Sequence, residues 1–318
     1  MLQVFKKETR LPISVNPELI NEEYDFSNQW IHMSNPTDKE IELIAKSTNI
    51  PEEVIKAALD EEEAPRIEIE DEYSLVLTDI PFTEDDEEDH YTYSTLPFAC
   101  ILTKTCIVTV CMIDTSIVTD ILSGRIKDIN IEKRKKFLLQ IQMAISKKFL
   151  WYLTQIQKSG QRVQAQLEKK MKNEDIMEMM DLQKALVYFT TSLRSNSAVM
   201  ERMPKQLKLS EDDVDYWEDV VIEVKQAIDM ASIYREIMRG QMDTYASIIN
   251  NDMNRIMKIL TSLTLIVAIP SMIGAFWGMN LPGIPFAGHP WGFWIVIAIS
   301  VVVVVAVIII LWKRKMLK

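Results

Sequence analysis

One stripe near the C-terminus carries the residue types best suited to chemistry. Asn254, Met257, Thr261, Thr264, Ala268, Ser271, Ala275 and Gly278 are spaced 3, 4, 3, 4, 3, 4 and 3 apart. An α-helix brings residues at that spacing onto one face. Within the apolar run from Ile259 onward these side chains are small or hydroxylated, while Ile259, Leu263, Ile266, Ile269 and Ile273 fall elsewhere. Two uses fit. Small residues let membrane helices approach closely, and hydroxyls with nearby backbone can equally line a path for an ion. Ser and Thr also bond back to their own helix, so a hydroxyl alone does not choose between seam and pore. A pore would need several copies of the stripe around an axis, because two spans per chain enclose little space.

The stripe runs into AFWGMNLPGIPFAGHPWGFW, residues 275–294, which has no charged side chain and holds four of the eight glycines and three of the twelve prolines. A second candidate is FTEDDEED, residues 82–89. Such an acidic run reads first as a solvated loop, as does the acidic helical segment EDIMEMMD, residues 174–181. Cys100, Cys106 and Cys111 lie in or beside apolar strand-like runs. With no further Cys or His completing four ligands they read as reduced thiols of a cytosolic core, not a zinc site. His32, His90 and His289 are the only histidines, and there is no phosphate-binding glycine loop or nucleophile constellation. An enzyme is not expected, nor an organic cofactor.

The elements that must position the stripe follow from charge and hydropathy. All 46 Asp and Glu precede Lys258, against 30 Lys and Arg in residues 1–257, a formal charge of −16. A body of that sign suits cations and argues against nucleic acid. Residues 259–277 and 291–312 carry no charge. At about 1.5 Å per residue each spans a hydrocarbon layer about 30 Å thick. Trp277, Trp291, Trp294 and Trp312 stand at their ends, where interfacial aromatics belong. Arg255 and Lys258 precede the first run and Lys313, Arg314 and Lys315 follow the second, while the linker has neither Lys nor Arg. Positive residues stay inside, so both termini are expected in the cytoplasm of a plasma-membrane protein.

Before the membrane, WIHM, RIEIEDEYSLVLTDI, TLPFACIL and CIVTVCMI read as strands, and DKEIELIAKST and PEEVIKAALDEEE as helices. The chain is then expected to be helical from Ile131 through Met203 with a break near residues 172–175, and to end that region at Pro204. Ser210 followed by Glu211, Asp212 and Asp213 reads as a helix N-cap. The helix from Glu211 is predicted to run unbroken to Trp277. So long a helix requires bundle or self-packing.

Gly278-Met279-Asn280, ending the first of two C-terminal spans after a long helix and an α/β body, resembles the GMN signature of the CorA family of magnesium and cobalt channels. The resemblance covers nearly the whole chain, and NRIMKIL (residues 254–260) and ILTKTCIVTV (residues 101–110) are similar to family segments. It implies an α+β membrane protein forming a homopentameric funnel. The expected parts are a cytoplasmic α/β domain (1–130), a helical region with the stalk helix (131–257) and a transmembrane domain (258–318). The last comprises a first span at 259–277, an outer loop at 278–290, a second span at 291–312 and a basic tail.

The resemblance also assigns the stripe to a pore wall, with Asn254, Met257, Leu260, Thr264, Ala268 and Ser271 at family pore positions and Thr261 and Ala275 on the same face. Several are smaller than the residues many relatives carry. It implies Gly278, Met279 and Asn280 as the selectivity filter and Asp85 with Asp219 as a regulatory Mg²⁺ site between subunits. The implied activity is passive Mg²⁺ uptake, with Co²⁺ or Ni²⁺ as further cargo. Zn²⁺ or Ni²⁺ transport by the same layout, or a membrane-anchored cation sensor that conducts nothing, are the alternatives. Many relatives carry an acidic residue in the outer loop; LPGIPFAGHP has none.

Overall fold

The computed structural model describes residues 1–8, 11–15, 24–85, 91–124, 126, 129–279, 283–286, 288–314 and 316. They divide into two compact units, Met1–Arg239 and Gly240–Lys318.

The first unit is a three-layer α/β structure built on a seven-stranded sheet. Its strands are β1 (Leu2–Glu8), β2 (Leu11–Ser14), β3 (Trp30–Ser34), β4 (Arg66–Ile69), β5 (Tyr73–Asp85), β6 (Tyr91–Thr103) and β7 (Ile107–Cys111), in the order β2-β1-β3-β7-β6-β5-β4. Among the described strands only the β3–β7 pair is parallel; the chain between those two strands makes the long crossover a parallel pair requires. Alternation assigns the two faces. Ile31, Met33, Val108 and Val110 pack in one core with α1 (Asp38–Thr48) and α2 (Glu52–Lys56), which closes in a 3-10 turn, Ala57–Leu59. Trp30, on the other face of β3, meets Phe137 at a ring separation of 5.1 Å. Both faces are therefore covered, and β3 and β7 are buried at every position.

The covering helices on that second face are α3 (Ser116–Leu122), α4 (Arg134–Lys169) and α5 (Asn173–Leu207). Where β4 ends opposite Leu77, the outer edge of β5 would be left unpaired. Asn196 of α5 takes over: its amide accepts from the Asp79 N–H and donates to the Asp79 carbonyl, both at 2.8 Å. That edge and the short β6–β7 ladder also explain how Pro81 and Pro97 sit in strands, since neither needs to donate to a second neighbour. Cys100, Cys106 and Cys111 are buried free thiols. Burial pushes the Cys111 thiol up to about 11, which makes it a core residue rather than a nucleophile.

Several local expectations needed revision. RIEIEDEYSLVLTDI is two antiparallel strands, because residues 70–72 turn between β4 and β5. The second predicted helix stops at Leu59 instead of continuing through the acidic residues 60–63. The strands β1 and β2 and the seven-residue helix α3 were not anticipated. Pro204 does not end its helix, since α5 continues to Leu207. Proline has no N–H for the carbonyl four residues back, here that of Met200. The Trp217 indole N–H donates to that carbonyl at 2.9 Å, so the lost bond is replaced from the next helix. That helix, α6 (Glu211–Trp277), is continuous as predicted, and Ser210 caps it by accepting from the Asp213 N–H. In the second unit α6 is followed by α7 (Gly292–Lys313). Both are long and apolar enough to cross a membrane.

Candidate functional site

On α6, the residues buried or partly buried in the protomer and most of the stripe occupy opposite sides, while Gly278, the stripe's last member, lines a pocket with α7. Ser262 is buried, and Ile266, Ile269, Ile273 and Trp277 are partly buried. At about 100° per residue, these lie half a turn away from Thr261, Thr264, Ala268, Ser271 and Ala275. Every one of the latter is exposed in the protomer, as are Asn254, Met257 and Leu260. From Thr261 to Ala275 the stripe is therefore not the seam between α6 and α7.

Its hydroxyls are oriented. Thr261 donates to the Met257 carbonyl at 2.8 Å, Thr264 to Leu260 at 2.8 Å and Ser271 to Val267 at 2.9 Å. A hydroxyl has one proton and two lone pairs. With the proton held by the backbone, each oxygen faces outward as an acceptor. That polarity matches water molecules around a cation, which point their own protons away from the ion.

The outer end of α6 adds to this. The Gly278 N–H still bonds to the Gly274 carbonyl at 2.9 Å, and the Met279 N–H reaches the Phe276 carbonyl at 3.4 Å. The helix thus terminates at the GMN triplet, where its last carbonyls and the negative end of its dipole favour a cation. A Cβ at Gly278 would sit 3.3 Å from the Gly274 carbonyl oxygen, so the bare glycine keeps the turn open. Met279 is exposed. Asn280, the third member, lies outside the described residues.

The connection to α7 is held by backbone and aromatic contacts. The Trp277 indole N–H donates to the Pro285 carbonyl at 3.1 Å, and the Trp291 N–H donates to His289 Nδ1 at 3.2 Å. A Cβ on Gly292 would lie 2.3 Å from the Phe286 carbonyl oxygen, so only glycine fits where α7 begins. Sequence reasoning missed His289 as an acceptor at a helix start. The signal was its place two residues before Trp291 and α7.

For the second candidate, β5 pairs with β6 out to Asp85 opposite Tyr91, so Phe82–Asp85 belongs to a strand and only residues 86–90 join the two strands. The Asp85 side chain lies outside the described part of the structure. Asp219 is exposed on α6. Burial first, and the charge of Asp219 second, raise the Tyr216 phenol above its ordinary value. Among the described residues no three His, Cys, Asp or Glu side chains converge as a metal centre within one protomer.

Comparison with known proteins bears on the whole arrangement. Residues 26–315 match the family described as CorA-like Mg²⁺ transporter protein. The chain belongs to the CorA family.

A cobalt/magnesium transport protein CorA of Methanocaldococcus jannaschii is 29% identical over 293 residues, 87% of this chain and 88% of that protein. Its Thermotoga maritima counterpart is 24% identical over 298 residues, 91% of this chain and 83% of that protein. The complete structure of the CorA magnesium transporter from M. jannaschii superposes with a TM-score of 0.80 at 25% identity, covering 98% of this chain and 96% of that one. The α/β body, long helix and C-terminal apolar helix are thus those of a full-length CorA protein. The family consists of membrane transporters of divalent cations and not of enzymes.

Proposed function

We propose that the protein is a passive channel for Mg²⁺, and for Co²⁺, acting as a homopentamer with the α6 stripe facing the axis. The observation that carries this reading is the charge-free face left exposed in the protomer, with its hydroxyl protons returned to the backbone. Mg²⁺ dehydrates reluctantly and prefers six oxygens. Neutral acceptors can hold the hydrated ion from its outer shell and still release it. Five Asn280 amides above five helix C-termini would form the selective ring, with Gly278 allowing close approach. Both termini lie in the cytoplasm on this reading, and the GMN turn faces out. The membrane potential then drives uptake without ATP: about 2.3 kcal/mol per charge per 100 mV gives a divalent ion about 4.6 kcal/mol.

Regulation is assigned to Asp85 of one subunit and Asp219 of its neighbour. A divalent ion between two carboxylates holds subunits together, and its loss lets their repulsion open the pore. Mg²⁺ flux into proteoliposomes tests the central claim: Asn280→Ala is expected to abolish selective uptake while leaving the pentamer assembled. Flux equal to wild type would remove the Asn280 ring from the mechanism.

A further inference from the structure

One cavity of the first unit lies away from the α6 stripe. It measures about 860 Å³ and lies between α3, α4 and the start of α6. Lys136, Lys147, Lys148 and Trp151 line it from α4, Asp120 from α3 and Tyr216 from α6. Its charge runs against its surroundings. The body carries 46 acidic and 30 basic residues before Lys258, yet residues 133–148 hold six Lys and Arg and no carboxylate.

Spacing makes one trough of this segment: Lys136, Gln140, Met143, Lys147 and Trp151 recur at 4, 3, 4 and 4 along one face of α4. Lys148 is already committed. Its ammonium stands 3.9 Å from Asp120 and lies over the Trp151 ring at 4.8 Å, which fixes the indole from one side. Neither Lys136 nor Lys147 makes an ion pair among the described residues. Trp151 is 52% exposed, unlike its helix neighbours Phe149 and Leu153, which are fully buried. The cavity therefore offers uncommitted ammonium groups beside a half-exposed indole that also packs against Tyr152, in a volume within the range of small-molecule sites.

We propose that this cavity binds a nucleoside phosphate, with the phosphates at Lys136 and Lys147 and the base stacked on Trp151. A flat ring uses the indole surface, which a simple polyanion leaves bare. A small ligand is specified, because the strongly negative body repels a nucleic acid polymer.

The test is equilibrium binding of ATP, in EDTA, to the full-length protein in detergent, read by calorimetry with tripolyphosphate and adenosine as separate arms. Saturable binding of one ATP per chain is expected. Lys147→Glu, at an exposed position, should weaken ATP and tripolyphosphate alike by about tenfold or more. Trp151→Ala should weaken ATP by about tenfold and leave tripolyphosphate unchanged. Absence of saturable ATP binding overturns the proposal, as does ATP binding indifferent to both substitutions. Tripolyphosphate binding as tightly as ATP, with no effect of Trp151→Ala, overturns the assignment to a nucleotide. Binding is read without flux, so either outcome leaves the transport reading as it stands.

Discussion

His32 sits on the α4 side of the sheet with its Nδ1 2.9 Å from Thr109 Oγ1, the same oxygen that accepts from the Trp30 indole N–H at 2.8 Å. Burial lowers its pKa from 6.5 to about 4, against a smaller opposing influence of Asp114. The folded protein thus holds a neutral imidazole at pH values where the unfolded chain is protonated. The stability contributed by the neutral ring is present above pH 6.5 and is lost as pH falls toward 4, by about 3 kcal/mol in total. Asp79 acts in the opposite direction: burial raises its carboxyl, so acidification relieves a cost there. Thermal melts of the detergent-solubilised protein between pH 7 and 4.5 should show a marked loss of stability, with a shallower slope in His32→Asn. Parallel slopes would exclude His32 as the titrating group.

At the scale of elements, two helices are tied down by side chains that complete broken backbone patterns. Asn196 supplies the bonds β5 lacks beyond β4, and Trp217 supplies the donor that Pro204 lacks. Trp217→Phe leaves the Met200 carbonyl without that partner and should cost about 1–3 kcal/mol. Adding Pro204→Ala restores a backbone N–H four residues on, and the cost of Trp217→Phe should then shrink. Additive effects in the double-mutant cycle, measured by denaturant unfolding, would refute this linkage. Position 204 also marks where sequence reading stops. A proline three residues from a helix end reads as a terminator, and nothing local announces a tryptophan thirteen residues later that replaces its bond.

For the whole molecule, the strongly acidic body and the uncharged segment 278–290 predict how entry responds to salt on the proposed topology. On the proposed topology residues 278–290 form the outer mouth, and with no carboxylate there cations are not concentrated at it. His289→Asp keeps an acceptor for the Trp291 N–H and adds one negative charge per subunit. It should raise initial Mg²⁺ uptake severalfold at low ionic strength, with the gain fading as salt screens the mouth. Unchanged rates in proteoliposomes at low salt would contradict the prediction. If the proposed regulation holds, neutralising Asp85 and Asp219 together should weaken Mg²⁺ protection of the body against limited proteolysis. Full protection in that variant would exclude the inter-subunit site.

The sequence by itself determined the two membrane-length helices, the unbroken α6 and the stripe, because hydrophobic period, charge exclusion and proline spacing are local properties written along the chain. It also carried the family, since the GMN triplet has meaning at that one place in the layout. Tertiary structure alone decided which side of α6 is buried in the protomer, and therefore that most of the stripe is left exposed. It likewise decided the parallel β3–β7 pairing, the strands β1 and β2, and the bonds made by Asn196 and Trp217. These depend on groups far apart in sequence meeting in space, and a backbone atom's unmet hydrogen bond leaves no trace in the residue types around it.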